Sequence, residues 1–155
     1  MLHQSLLLSL LLLAALASAE VINFENCPDS IDVCPINEVR VDPCPQAASR
    51  APCQIRRRRP ATMSFDFTPT FDAERLEASL VWAKSETEEL PLVTMERDAC
   101  KATTCPVQSG KKHTYTIRIP IEAKFPVSPY TIRWAIKDPV SSKRCCFTVD
   151  IKVVR

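Results

Sequence analysis

The chain has 155 residues, with 20 Lys and Arg against 18 Asp and Glu, a formal charge of +2, and one glycine, Gly110. Charge this close to balance gives no electrostatic basis for nucleic-acid binding. A single glycine excludes phosphate-cradling glycine loops and the G-x-S-x-G nucleophile elbow.

The opening stretch, MLHQSLLLSLLLLAALASAE, holds an apolar run from Leu6 to Leu16 that is too short to span a bilayer. Ala17-Ser18-Ala19 after it is a small-x-small cleavage site. We read residues 1–19 as a secretory signal and residues 20–155 as one mature domain, large enough to bury a core.

Residues 20–35 carry Val21, Ile22 and Phe24, then a turn-rich stretch with Pro28 and Pro35. Glu38 to Asp42 alternates, with Val39 and Val41 on one face, and Pro43-Cys44-Pro45 ends it. A loop leads through Ile55 to Arg56-Arg57-Arg58-Arg59, read as a solvated basic turn, with contact to anionic headgroups as the competing reading. Ala61 to Thr68 is the clearest strand: Met63, Phe65 and Phe67 face one way and Thr62, Ser64 and Asp66 the other. Leu76 to Trp82 sets Leu76, Ala78, Leu80 and Trp82 on one side, and its Ser-Leu-Val-Trp end favours strand over helix. Glu86 to Glu89 reads as an acidic loop, from which Leu90-Pro91-Leu92-Val93 leads back toward Cys100.

In the next strand Tyr115, Ile117 and Ile119 oppose Thr116 and Arg118. Pro120 interrupts it, the apolar face resumes at Ile121, and Phe125-Pro126 closes the segment. A proline removes a ladder donor and belongs at an edge or a bulge. The sheet is therefore expected to part from its neighbour here, at the mouth of an apolar pocket. Tyr130, Ile132, Trp134 and Ile136 then alternate with Thr131, Arg133 and Ala135. The last strand, Cys145 to Val153, sets Phe147, Val149, Ile151 and Val153 against Thr148, Asp150 and Lys152. About seven short strands and no convincing helix predict an all-β antiparallel sandwich.

All eight cysteines follow the signal, an even number in an oxidising compartment, so up to four disulfides are expected. Cys44 with Cys53, and Cys100 with Cys105, bracket short segments and read as local clasps. Cys145 and Cys146 point to opposite faces of a strand, so each reaches a different partner. Cys27 and Cys34 remain for them, in either order. No C-x-x-C pair occurs and His113 is the one histidine after the signal, so neither a metal nor a cofactor is expected. His113, at a strand entrance, reads as a solvated surface residue. No pair of carboxylates stands out as an acid/base couple, and the chain reads as a binding protein rather than an enzyme.

Several motifs together resemble the MD-2-related lipid-recognition (ML) family, above all its secreted Niemann-Pick type C2-like carriers of insect type. They are Asn26-Cys27; Val39-Arg-Val-Asp-Pro-Cys-Pro45; Cys53-Gln-Ile55; Ser64-Phe-Asp-Phe-Thr-Pro69; Asp98-Ala-Cys100; Thr104-Cys-Pro106; Tyr115 with Pro120; Phe125-Pro126; Trp134; and Cys146-Phe147. The resemblance implies an immunoglobulin-like sandwich whose sheets separate to hold one lipid in an apolar cavity. It also implies disulfides Cys27–Cys146, Cys44–Cys53 and Cys100–Cys105, which leaves Cys34–Cys145 as a fourth bridge beyond the common six cysteines. Family positions that line the tunnel and its entrance fall on Leu92, Ile121, Phe125, Pro126 and Trp134. With the inward stripes of Met63, Phe65, Phe67, Leu80, Ile117, Ile132 and Val149, these are the expected lipid-binding residues. Leu92 stands where the sterol carriers have an aromatic and Phe125 where they have a tyrosine, so fatty acids and other sterols stand beside cholesterol as cargo. The loop glycine usual near Arg57 to Pro60 is here arginine. No Asn-x-Ser/Thr sequon occurs, which favours an extracellular carrier over a lysosomal one. The expected function is therefore a secreted, monomeric carrier of one sterol or other small lipid, in transient contact with membranes. The alternatives are an immune protein binding bacterial lipids such as lipopolysaccharide, and an adhesive sandwich with a solid core.

Overall fold

The computed structural model describes residues 19–92 and 95–155. The expected signal, apart from Ala19, lies outside the described residues, as does Val93. In chain order the strands are β1 (Glu20–Val21), β2 (Glu25–Asn26), β3 (Ile36–Asp42), β4 (Cys53–Arg56) and β5 (Pro60–Phe67). They continue with β6 (Glu77–Ala83), β7 (Glu89–Pro91), β8 (His113–Pro120), β9 (Pro129–Lys137) and β10 (Arg144–Val154). Two 3-10 turns, Pro45–Ser49 and Ala99–Lys101, are the helical elements among the described residues.

The strands form two layers. The first sheet runs β1-β3-β5-β8, and the second runs β2-β10-β9-β6-β7. β10 carries two short partners along one edge: β2 beside Phe147 and Thr148, and β4 beside Ile151 to Val154. The β4 pairing is parallel, an exception to the antiparallel expectation. The surplus over seven strands lies in pieces of two to four residues. Two of them correct the sequence reading. β4 lies in the stretch expected as a loop, because a four-residue segment that runs into the arginine run at Arg56 shows too few alternations to stand out. β7 begins at Glu89, the last residue of the expected acidic loop, and takes in Leu90 and Pro91, expected as a connection; Pro91 at its end suits a strand on the sheet edge.

Register places the inward stripes in rows. Phe65 stands opposite Tyr115 and Met63 opposite Ile117 in the first sheet. Trp134 lies between Leu80 and Phe147 in the second. At one end the layers meet directly. The Phe65 ring stacks on Tyr115 at 4.9 Å and meets Phe147 edge-on at 5.0 Å, and Trp134 closes the group at 6.1 Å from Phe65. Such pairs contribute about 1 kcal/mol each beyond the area they bury.

Disulfides pin this packed end. Cys145 belongs to the core between the sheets and bonds Cys34, whereas Cys146 forms a separate cluster with Ala135 and bonds Cys27. Adjacent cysteines in one strand thus serve the two faces of its sheet. Cys44–Cys53 ties the end of β3 to the start of β4 as the chain crosses between sheets, and Cys100–Cys105 clasps the loop before β8.

Candidate functional site: an apolar cavity between the sheets

Beyond the aromatic cluster the layers part, enclosing a cavity of about 340 Å³. One cause is visible in the first sheet. Pro60 and Pro120 face each other at the end of the β5–β8 ladder. Neither has an N–H to donate, so the ladder cannot extend past them. The chain beyond Pro120 turns away as the segment that carries Ile121 and Phe125.

Met63, Ile117 and Ile119 form the wall on the first sheet. Leu80, Tyr130, Ile132, Ile151 and Val153 form the opposite wall, with Trp134 also on the lining. Leu92, Met95, Ile121 and Phe125 also line the cavity, and its charged members are Glu96 and Arg118. Burial differs along the stripes. Phe65, Tyr115 and Phe147 in the packed end are essentially inaccessible, and on the cavity lining Met63, Tyr130, Ile132, Trp134 and Val153 are buried too, whereas Leu80, Ile117, Ile119 and Ile151 are half-buried although they sit on inward stripes. Those side chains border space instead of a facing side chain.

Among the described residues, charge on the lining is confined to Glu96 and Arg118. Burial, with the Glu96 charge adding to it, pushes the hydroxyl of Tyr115, in the adjoining aromatic cluster, up to about 12, and burial also raises that of Tyr130 on the wall. Tyr130 Oη donates to the Pro126 carbonyl at 2.9 Å, which holds the Phe125-Pro126 turn against the second sheet. The buried Trp134 Nε1 has no acceptor among the described residues. Among the described residues the lining holds no Ser, Cys or His. Among the described residues no cluster of His, Cys, Asp and Glu is arranged to hold a metal ion.

Of the residues expected on the site, Met63, Leu80, Leu92, Ile117, Ile121, Phe125, Ile132 and Trp134 border the cavity. Phe65, Phe67 and Val149 do not. They occupy the packed core, where alternation looks the same as in the cavity half. Pro126 is exposed and acts through its carbonyl rather than as lining. Met95, Ile119, Tyr130, Ile151 and Val153 were not singled out. All but Met95 extend stripes that the alternation already marked, toward the strand ends where the sheets part. His113 also departs from expectation. It is half-buried, its ring stacks on Phe67 at 5.6 Å, and its Nε2 accepts from the Gln108 N–H at 3.2 Å.

Comparison with known proteins is decided by a family model for the ML domain, which matches residues 21–153. The chain belongs to the ML-domain family. An MD-2-related lipid-recognition protein of Manduca sexta is 34% identical over 151 residues, covering 96% of this chain and 95% of that protein. The NPC intracellular cholesterol transporter 2 of Mus musculus is 28% identical over 145 residues, covering 93% of each chain. A crystal structure of a Niemann-Pick type C2 protein from the Japanese carpenter ant superposes with a TM-score of 0.74 at 21% identity. It covers 86% of this chain and all of that one, so the two share the ML sandwich. In this ML domain the cavity opens at the end of β8, across the sandwich from the loops that the two long-range disulfides hold.

Proposed function

We propose that this ML domain is a secreted carrier that holds one sterol or fatty-acid-like molecule between its sheets and admits it past Ile121 and Phe125. The observation that carries the reading is an apolar cavity of about 340 Å³ whose two charged lining residues are Glu96 and Arg118. Small-molecule sites span roughly 300–1,000 Å³. The low end suits a single hydrocarbon body better than the several acyl chains of a lipopolysaccharide. The relatives named for lipid recognition and cholesterol transport support the same class of cargo. The Leu6–Leu16 run and four disulfides support export to an oxidising compartment.

An affinity near micromolar would suit a carrier that must release its cargo. At about 0.3 kcal/mol per heavy atom, a ligand of about 28 heavy atoms gains about 8 kcal/mol, a dissociation constant near micromolar. Binding is passive: apolar surface leaves water on both partners, and the ligand's polar end stays at the mouth. Organic extraction of the purified protein followed by mass spectrometry is expected to yield about one lipid per chain. Ile121→Asp and Phe125→Asp place a carboxylate on the apolar entrance and are expected to lower lipid uptake at least ~10-fold, with the melting transition retained. Protein that extracts empty and binds no lipid on titration would overturn the reading.

A further inference from the structure

Resting on the lipid-carrier reading, we propose that the cargo's polar end is an anion and that Arg58, Arg59 and Arg118 receive it in an annex at the cavity mouth. The annex, about 380 Å³, is bounded by these three arginines with Pro60, Pro120, Ile121 and Glu122. Arg118, Pro120 and Ile121 also border the main cavity, so the two spaces share a wall.

The basic turn between β4 and β5 is fastened to this mouth. Arg58 N–H donates to the Ile121 carbonyl at 2.6 Å, and Arg57 Nη1 donates to the Ala123 carbonyl at 2.9 Å. Arg58 holds a left-handed backbone, φ 64°, which a residue with a side chain adopts infrequently. The backbone of the turn is therefore fixed beside the mouth, and the exposed side chains of Arg58 and Arg59 start from there.

Charge on this patch is uncompensated. Arg40, Arg133 and Arg144 each pair with a carboxylate, whereas Arg58, Arg59 and Arg118 form no ion pair among the described residues. The one acid of the annex, Glu122, is paired with Lys124 at 2.8 Å. Three like charges beside an apolar opening repel one another until an anion arrives. A guanidinium fork matches the oxygens of a carboxylate, sulfate or phosphate two at a time, and gains little from a lone hydroxyl. The patch and the cavity together fit an amphiphile with one acyl or ring body and one anionic head.

The test uses delipidated full-length protein with two probes that differ only at the head, oleate and methyl oleate. Oleate is expected to bind about tenfold tighter at low salt, as a few exposed charge pairs allow. The gap should narrow in about 1 M salt, where screening reaches ~3 Å. In the double variant Arg58→Gln, Arg59→Gln, neither of which borders the main cavity, oleate should lose most of its advantage over methyl oleate. Methyl oleate should bind that variant as it binds the native protein, which reports an intact fold. Equal affinities in the native protein, or a gap undiminished by the two substitutions, overturns the annex while leaving the carrier reading in place. A variant that keeps oleate affinity but loses binding to phosphatidylglycerol vesicles would overturn it too, by assigning the arginines to membrane docking. If neither probe binds the native protein, the annex falls, and the carrier reading falls with it only where cholesterol also fails to bind.

Discussion

Asp66 shows how one side chain on the outer face of β5 departs from the solvated role its alternation implies. Its residue is 8% exposed, because Arg40 Nη2 lies 2.7 Å from one carboxylate oxygen and Thr114 Oγ1 donates to the same oxygen at 2.8 Å. Glu38 pairs with Arg40 as well, and Lys112 stands 3.6 Å away. Hydrogen bonding from Arg40 holds the Asp66 carboxyl down at about 2, against the opposing effect of its burial. A carboxyl with a depressed folded pKa adds stability that is present above its unfolded value, near 4, and disappears as pH falls through the folded value. The native protein should therefore exceed Asp66→Asn in unfolding free energy by about 1–2 kcal/mol at pH 7, with the gap closing between about pH 5 and pH 2. Urea titrations at pH 7, 4 and 2 measure it; a gap independent of pH would show that packing, not charge, gives Asp66 its role.

The segment between β8 and β9 borders the cavity through Ile121 and Phe125, and hydrogen bonds from Arg57, Arg58, Tyr130 and Val153 hold it to the rest of the sandwich. Tyr130 Oη donating to Pro126 is the side-chain bond that anchors the Phe125-Pro126 turn. Tyr130→Phe keeps the apolar wall and removes that anchor. It should lower stability by about 1 kcal/mol and speed lipid exchange, read by stopped-flow transfer of a fluorescent fatty acid; an unchanged exchange rate would place the gate elsewhere. Much of this geometry was legible in the chain. Pro120 inside an alternating run marked the parting of the sheet, and the stripes of β5, β9 and β10 marked their inward faces. What period-two alternation cannot express is distance along a stripe. Met63 borders the cavity and Phe65, two residues on, is packed solid, although both satisfy the same pattern. β4 and β7 were illegible for a related reason: each is too short for its pattern to stand out and is recruited by an edge already in place, β10 for one and β6 for the other.

For the whole molecule, holding two sheets apart costs stability that a filled sandwich would keep. Unfilled apolar space costs roughly 24 cal/mol per Å³ where a core has been hollowed out, so a cavity of this size forgoes several kcal/mol against a total of about 5–15. Cross-links offset such a loss without filling the space. Cys27–Cys146 and Cys34–Cys145 close loops of 119 and 111 residues, and they do so side by side. In the chain-entropy model the first bridge to form contributes about 5 kcal/mol. The second then closes a ring of only roughly ten residues and adds about 2–3 kcal/mol. The two are therefore not equivalent to a pair of independent long staples. Removing either one, as Cys34→Ala with Cys145→Ala or as Cys27→Ala with Cys146→Ala, should cost about 3 kcal/mol and leave a folded protein. Removing both should cost about 8 kcal/mol, enough to unfold the lipid-free chain at 37 °C. Guanidinium titrations of the three variants against the native protein measure this, and equal, additive losses from the two single-bridge variants and the double would show that the bridges act on separate parts of the unfolded chain. Lipid binding only to the folded form raises every one of these midpoints, so the double variant should regain structure as lipid is added, whereas a packed sandwich with no cavity would show no such dependence.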